Sequence, residues 1–171
     1  FTDAKGEFTF SNIELLSSYS HIFLVSICFA LVATFCCLLI GYPLAYVMSR
    51  CKPSTQKLLT ILLMLPMWIS LLIRTYSLMA LLDNGGLVNG FLQAIGLPKM
   101  TFIGTDAAVI LGMVYDFLPY MILPIFTVLS KLDKSLLEAA EDLGSNAFIR
   151  FKRVILPLSL PGIISGITMV F

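Results

Sequence analysis

Two charged side chains stand inside long apolar runs of this sequence: Arg74 between Leu58 and Leu82, and Asp116 between Asp106 and Ser130. An ionisable group at the centre of a membrane helix costs at least about 2.5 kcal/mol on insertion scales, so each needs a partner or a wet surrounding. At ~1.5 Å rise per residue, Arg74 lies ~12 Å from the Leu82 end of its segment and Asp116 ~15 Å from the Asp106 end of its own. Matching depths and opposite signs leave two readings open. The residues form a structural ion pair between antiparallel neighbours, or one or both line a transport path flanked by Trp68, Tyr76 and Tyr115. In an ion channel or secondary transporter the same two charges would serve as a gate or a proton relay. Aromatic residues near a membrane interface are also ordinary anchors.

Other chemistry has little to work with. The single histidine, His21, stands at the edge of the first apolar run, and neither an H-E-x-x-H zinc pattern nor a G-x-x-x-x-G-K-[ST] phosphate loop is present. Cys28, Cys36 and Cys37 lie within that run and Cys51 just beyond it, with no His or carboxylate at ligand spacing, which reads as apolar packing. The residues therefore point to no catalysis, no metal and no cofactor within this chain, and any ATP must be handled elsewhere.

The elements that hold these residues are membrane helices. Of 171 residues 58% are hydrophobic and 12% charged, against roughly 25% charged in a soluble domain. A net charge of +1 excludes a strongly basic nucleic-acid binder. Leu15 to Ser49 contains no Asp, Glu, Lys or Arg, well beyond the ~20 apolar residues that cross a bilayer. No basic segment precedes a short apolar core, so this run reads as a spanning helix and not a signal peptide. Spans are predicted over about 22–48, 58–82, 106–130 and from about 160 to 171. The expected architecture is an all-α polytopic transmembrane helix bundle, one membrane domain over residues 1–171. The chain opens at Phe1 and stops at Phe171 inside an apolar stretch, so a fragment of a longer polypeptide is expected. Pro66, Pro119 and Pro124 are expected to kink or open their helices. Gly162 and Gly166 form a G-x-x-x-G spacing that permits close helix approach.

Basic residues orient the bundle. Arg50, Lys52, Lys57, Lys131, Lys134, Arg150, Lys152 and Arg153 fall on one side, with Lys5 and Lys99 on the other. The richer side is predicted to face the cytoplasm. The segment from Asp83 to Thr105 is then external. It opens with a turn composition, Asp83-Asn84-Gly85-Gly86, and continues with Leu87, Val88, Phe91, Leu92 and Ile95 on one helical face. Either a short helix in the outer interface or an irregular loop on the helix tops satisfies that pattern.

The most polar segment, 131–153, is predicted to be cytoplasmic. Ser135-Leu136-Leu137-Glu138 fits a capping box. The helix it starts would run through Ala139 and Ala140 and end at Gly144, which takes the left-handed cap conformation readily. Ser145 or Asn146 would cap a second short helix carrying Phe148 and Phe151. Physics alone leaves this knob either a contact surface for another protein or an amphipathic pair that touches only its own chain.

Glu138-Ala139-Ala140, then Gly144, then Val154-Ile155-Leu156-Pro157 resembles the EAA loop of permease subunits of ATP-binding-cassette importers; Val154 stands where isoleucine is commoner. Leu65-Pro66-Met67-Trp68, Ile73-Arg74-Thr75-Tyr76, Lys131-Leu132-Asp133-Lys134 and Pro161-Gly162-Ile163 narrow the resemblance to the PotB-type permeases of spermidine/putrescine importers. Related permeases with similar loops carry iron, thiamine or phosphonates, so the substrate is the less specific part. The resemblance implies the type I permease fold with a six-span core, of which flanking helices are absent here. It implies that Glu138, Ala139, Ala140, Gly144, Leu156 and Pro157 belong to the coupling loop that docks on an ATPase. The implied partners are two ATP-binding-cassette ATPase subunits holding ATP and Mg, a second permease of PotC type, and an external polyamine-binding protein. The implied setting is the bacterial inner membrane. A channel or secondary transporter, or a membrane scaffold, is the alternative from another class.

Overall fold

The computed structural model of the chain describes residues 20–132, 135 and 145–171, and every regular element among them is helical. Helix α1, Ser20–Arg50, has 31 residues and a length of about 46 Å, more than a hydrocarbon core of ~30 Å requires. Its inward stripe, Ala33, Cys37, Gly41 and Ala45, recurs every four residues and is made of small side chains. That spacing keeps one face against a neighbour and lets the two backbones approach.

The neighbour is α5, Asp106–Ser130, a helix of 25 residues. Thr105 caps it, its hydroxyl oxygen accepting from Ala108 N–H at 3.3 Å. Asp106 in the first turn suits the positive end of the helix dipole. The expected opening at Pro119 and Pro124 does not interrupt it, for α5 runs on through both. Met121, Ile122, Ile125 and Leu129 face the core, and α7, Leu156–Val170, packs on the other side of α5. Here Gly162 and Gly166 do what their spacing allows: a β-carbon at Gly162 would stand 3.0 Å from Ile125 Cα and from the Pro124 carbonyl oxygen. Tyr42 of α1 and Ser159 of α7 close the triangle with a 3.1 Å hydrogen bond. Because the Ser159 hydroxyl donates to Leu156 O, Tyr42 is the donor.

Two of the expected runs are built differently from a single helix with the expected bounds. The second, over 58–82, is broken at the place where Pro66 is expected to kink or open it. It is α2, Pro53–Met64, a 3₁₀ turn at Leu65–Trp68, and α3, Leu71–Leu82, with a 96° bend at the break. Pro66 withholds an N–H from the ladder, and Ile69 and Ser70 follow in extended conformation, with ψ of 139° and 135°. The last run does not begin near 160. A short helix α6, Ala147–Arg150, passes through a π turn, Phe151–Ile155, straight into α7, so Phe148–Val170 is continuous. Pro157 lies in the first turn of α7, where its missing N–H matters least, and the wider π turn closes on Phe151 O through Leu156 N–H.

The ends carrying the basic residues lie together. Ser49, Arg50 and Gln56 border the same cavity as Leu129 and Ser130. Phe151 meets the rings of Tyr42 and Tyr46 edge-on, at 5.8 and 6.1 Å between centroids. Gln56 of α2 donates to Ser49 O and Cys51 O at 2.9 and 3.0 Å, occupying carbonyls left over at the end of α1. At the other end, Asp83 to Gly86 turn the chain into α4, Leu87–Ala94.

Candidate functional site

Arg74 sits in the first turn of α3 and Asp116 midway along α5, and the structure brings them together. Arg74 Nε lies 3.3 Å from Asp116 Oδ1, and the two residues are only 7% and 8% exposed. Yet Arg74 Nε and Nη1 and Asp116 Oδ1 have no hydrogen-bond partner among the described residues. The contact is therefore coulombic, without the aligned hydrogen bonds that a buried ion pair needs to recover its desolvation cost.

Asp116 also borders a cavity of about 370 Å³ between α3 and the first half of α5. Leu78, Met79, Val109 and Met113 wall it, and Thr75 and Thr105 are its other polar side chains. Both hydroxyls are engaged locally, Thr75 with Leu71 O at 2.9 Å and Thr105 with Phe102 O at 2.6 Å. The arrangement is a carboxylate at the border of a hydrocarbon-walled space, already opposed by an internal guanidinium. A cation entering this space meets Asp116 only in competition with Arg74.

The aromatic residues do not join the pair. Tyr115 borders a separate cavity of about 470 Å³ with Leu44, Leu59, Pro66 and Pro119. Trp68, at the 3₁₀ turn, is 89% exposed beside Ile61, Met64 and Leu65. Tyr76 points outward from α3 and is exposed. Of the loop residues, Glu138, Ala139, Ala140 and Gly144 lie outside the described residues. Leu156 packs half-buried against the core at the start of α7, and Pro157 beside it is exposed.

Residue chemistry alone overlooked three polar groups. Ser159 falls in register with Gly162 and Gly166, and that small-residue series was a usable signal for the Tyr42 contact. Asn89, in the outer segment, is fully buried, and nothing in the local apolar pattern announces it.

A packed body of three apolar helices, a broken fourth segment and a polar connection at the basic end together define a polytopic helical membrane subunit. The chain belongs to the family of binding-protein-dependent transport system inner membrane components, whose profile matches residues 38–171. It is thus a multi-pass inner-membrane protein. It is 46% identical over 154 residues to the spermidine/putrescine transport system permease protein PotB of Haemophilus influenzae, covering 89% of this chain and 54% of that protein. To the protein of the same description from Escherichia coli K12 it is 41% identical over 170 residues, covering 97% and 62%. The chain spans less than two thirds of the length of these relatives. Its fold is shared, at a TM-score of 0.62 and 22% identity, with a chain in the crystal structure of a bacterial alginate ABC transporter in complex with an alginate pentasaccharide-bound periplasmic protein. That likeness covers 79% of this chain and 50% of the other.

Proposed function

We propose that this chain forms part of the permease of an ATP-driven importer that takes spermidine and putrescine from an external binding protein. The observation that carries the reading is the 46% and 41% identity to two PotB permeases over nearly the whole chain. In this reading the subunit has no catalysis of its own. Two ATPase subunits bind ATP and Mg, a second permease of PotC type completes the path, and the knob from Glu138 to Val154 docks on an ATPase.

The packing supports a division of labour. The docking loop joins α5 to α6 and α7, and α5 is held to both α1 and α7 through small residues. A displacement of the loop therefore moves α1, α5 and α7 as one body. Asp116 rides on that body and Arg74 on the arm beyond the break, so the pair reports their relative position. Trp68, Tyr76 and Tyr115 are the remaining candidates to border the path.

The test is reconstitution of the full-length protein with its ATPase, second permease and binding protein, followed by ATP hydrolysis across a polyamine series. Stimulation by spermidine and putrescine, with uptake that needs ATP, is expected. Copurification without any ATPase, or uptake that proceeds without ATP, would overturn the reading. Stimulation by a different solute alone would keep the importer and remove the polyamine.

A further inference from the structure

The outer segment carries its polarity the wrong way round for a loop in water. Asn89, at the middle of α4, is 1% exposed. Its amide nitrogen donates to Asp83 O at 3.2 Å and to Met100 O at 2.9 Å, and its amide oxygen accepts from Met100 N–H at 3.0 Å. On the opposite side Leu87, Phe91 and Ile95, each one turn from the next, are 76%, 67% and 56% exposed. Beyond the helix Leu97 is 51% exposed, and no charged residue occurs from Leu87 to Pro98. A contiguous apolar ridge of this kind marks a surface that something covers.

We infer that the ridge is embedded in the acyl-chain boundary of the outer leaflet, so that bilayer lipid, and not the aqueous face of a protein partner, covers it. Three observations favour lipid. The hydrogen bonds of Asn89 satisfy both backbone groups of Met100 in an irregular segment and add to the Gly86 N–H bond on Asp83 O, which a loop in water does not need and a segment against hydrocarbon does. Leu72 and Tyr76 of α3 are exposed as well, and no charged residue interrupts the ridge between Leu87 and Pro98, whereas a reversible protein docking surface carries a polar, wet rim. Charges reappear only at the ends of the segment, at Asp83, Lys99 and Asp106, where headgroup level would fall.

The test uses the full-length protein in its importer complex, reconstituted in nanodiscs. Tryptophan is introduced by Phe91→Trp or Leu87→Trp on the ridge, and by Asn84→Trp in the turn as a control. The fluorescence added over the parent protein is then quenched with brominated phosphatidylcholine or with iodide. Ridge positions should be quenched several-fold more by brominated lipid than by iodide, and Asn84→Trp the reverse. Iodide quenching of both ridge variants at the level of the control overturns the inference. So does protection from iodide that appears only when the binding protein is added, or protection from both quenchers, which would give the ridge to a protein partner. Having two ridge variants keeps the result readable if one does not assemble.

Discussion

Arg74 and Asp116 face each other at 3.3 Å between α3 and α5, and three of their buried polar atoms are without a hydrogen bond among the described residues. Opposite charges at this distance attract strongly in a medium of low dielectric. The missing alignment leaves each side dependent on the other's charge and not on a directional bond.

Removing one member should therefore be worse than removing both. Asp116→Asn or Arg74→Met strands a buried charge or polar group, with an expected loss of about 3 kcal/mol. The double change Arg74→Met with Asp116→Leu should recover most of it. Thermal melting of the full-length protein in detergent, run as a double-mutant cycle, gives the coupling directly. Strictly additive losses would remove the pair as a determinant of how α3 docks.

At the seam with α7 the two glycines should not respond alike. A β-carbon at Gly162 meets backbone, Ile125 Cα and Pro124 O, at 3.0 Å. At Gly166 the nearest atom, at 2.8 Å, is the sulfur in the flexible side chain of Met121, and backbone, the Met121 carbonyl oxygen, comes next at 3.2 Å. Gly162→Ala should thus cost about 1–3 kcal/mol by overpacking, and Gly166→Ala clearly less. Equal losses in melting temperature would mean that the backbones separate freely.

Asn89→Ala leaves both backbone groups of Met100 without these partners, while Asp83 O keeps its bond from Gly86 N–H at 2.8 Å. With each unsatisfied buried group worth about 1–3 kcal/mol, the outer segment should loosen and gain protease sensitivity between Leu87 and Pro98. Asn89→Asp keeps the acceptor but not the donor, and should fall between wild type and alanine. An unchanged cleavage pattern in limited proteolysis would show that α4 is held by its apolar contacts alone.

For the docking loop proposed above, a helix that ends at Gly144 in the left-handed cap conformation leaves no easy place for a bulky residue, so Gly144→Val should abolish most uptake while expression is retained. The same segment should be cytoplasmic. A thiol-reactive probe applied to sealed cells is expected to leave Lys134→Cys unlabelled, and labelling from outside would reverse the orientation. Full uptake and ATPase association in Gly144→Val would remove the coupling role.

How much of this was readable beforehand depends on which forces set each feature. The bounds of α5 follow from Thr105-Asp106 at one end and Lys131 at the other, because capping and charge are local. Arg74 and Asp116 could be matched by depth alone, since the rise of a helix is fixed. Pro66 announced a disturbance in the second run, but not its size. The 96° turn also needs extended backbone at Ile69 and Ser70, which no side chain there demands. The last run, expected from about 160, is carried by a helix that begins at Ala147, because a π turn makes room for Pro157. Asn89 was opaque because its partners lie six and eleven residues away, and the helical pattern around it speaks only for the opposite face.

The bend after Trp68 has a mechanical meaning. A continuous helix carries thrust from one side of a membrane to the other as a strut does, with little loss over its length. Two extended residues at a right angle carry tension but almost no compression or torque. In the proposed importer, load entering at the basic end would run along α1, α5 and α7, while α3 would receive it sideways, through its contact with α5. The arm is steered from its flank and not pushed from its base.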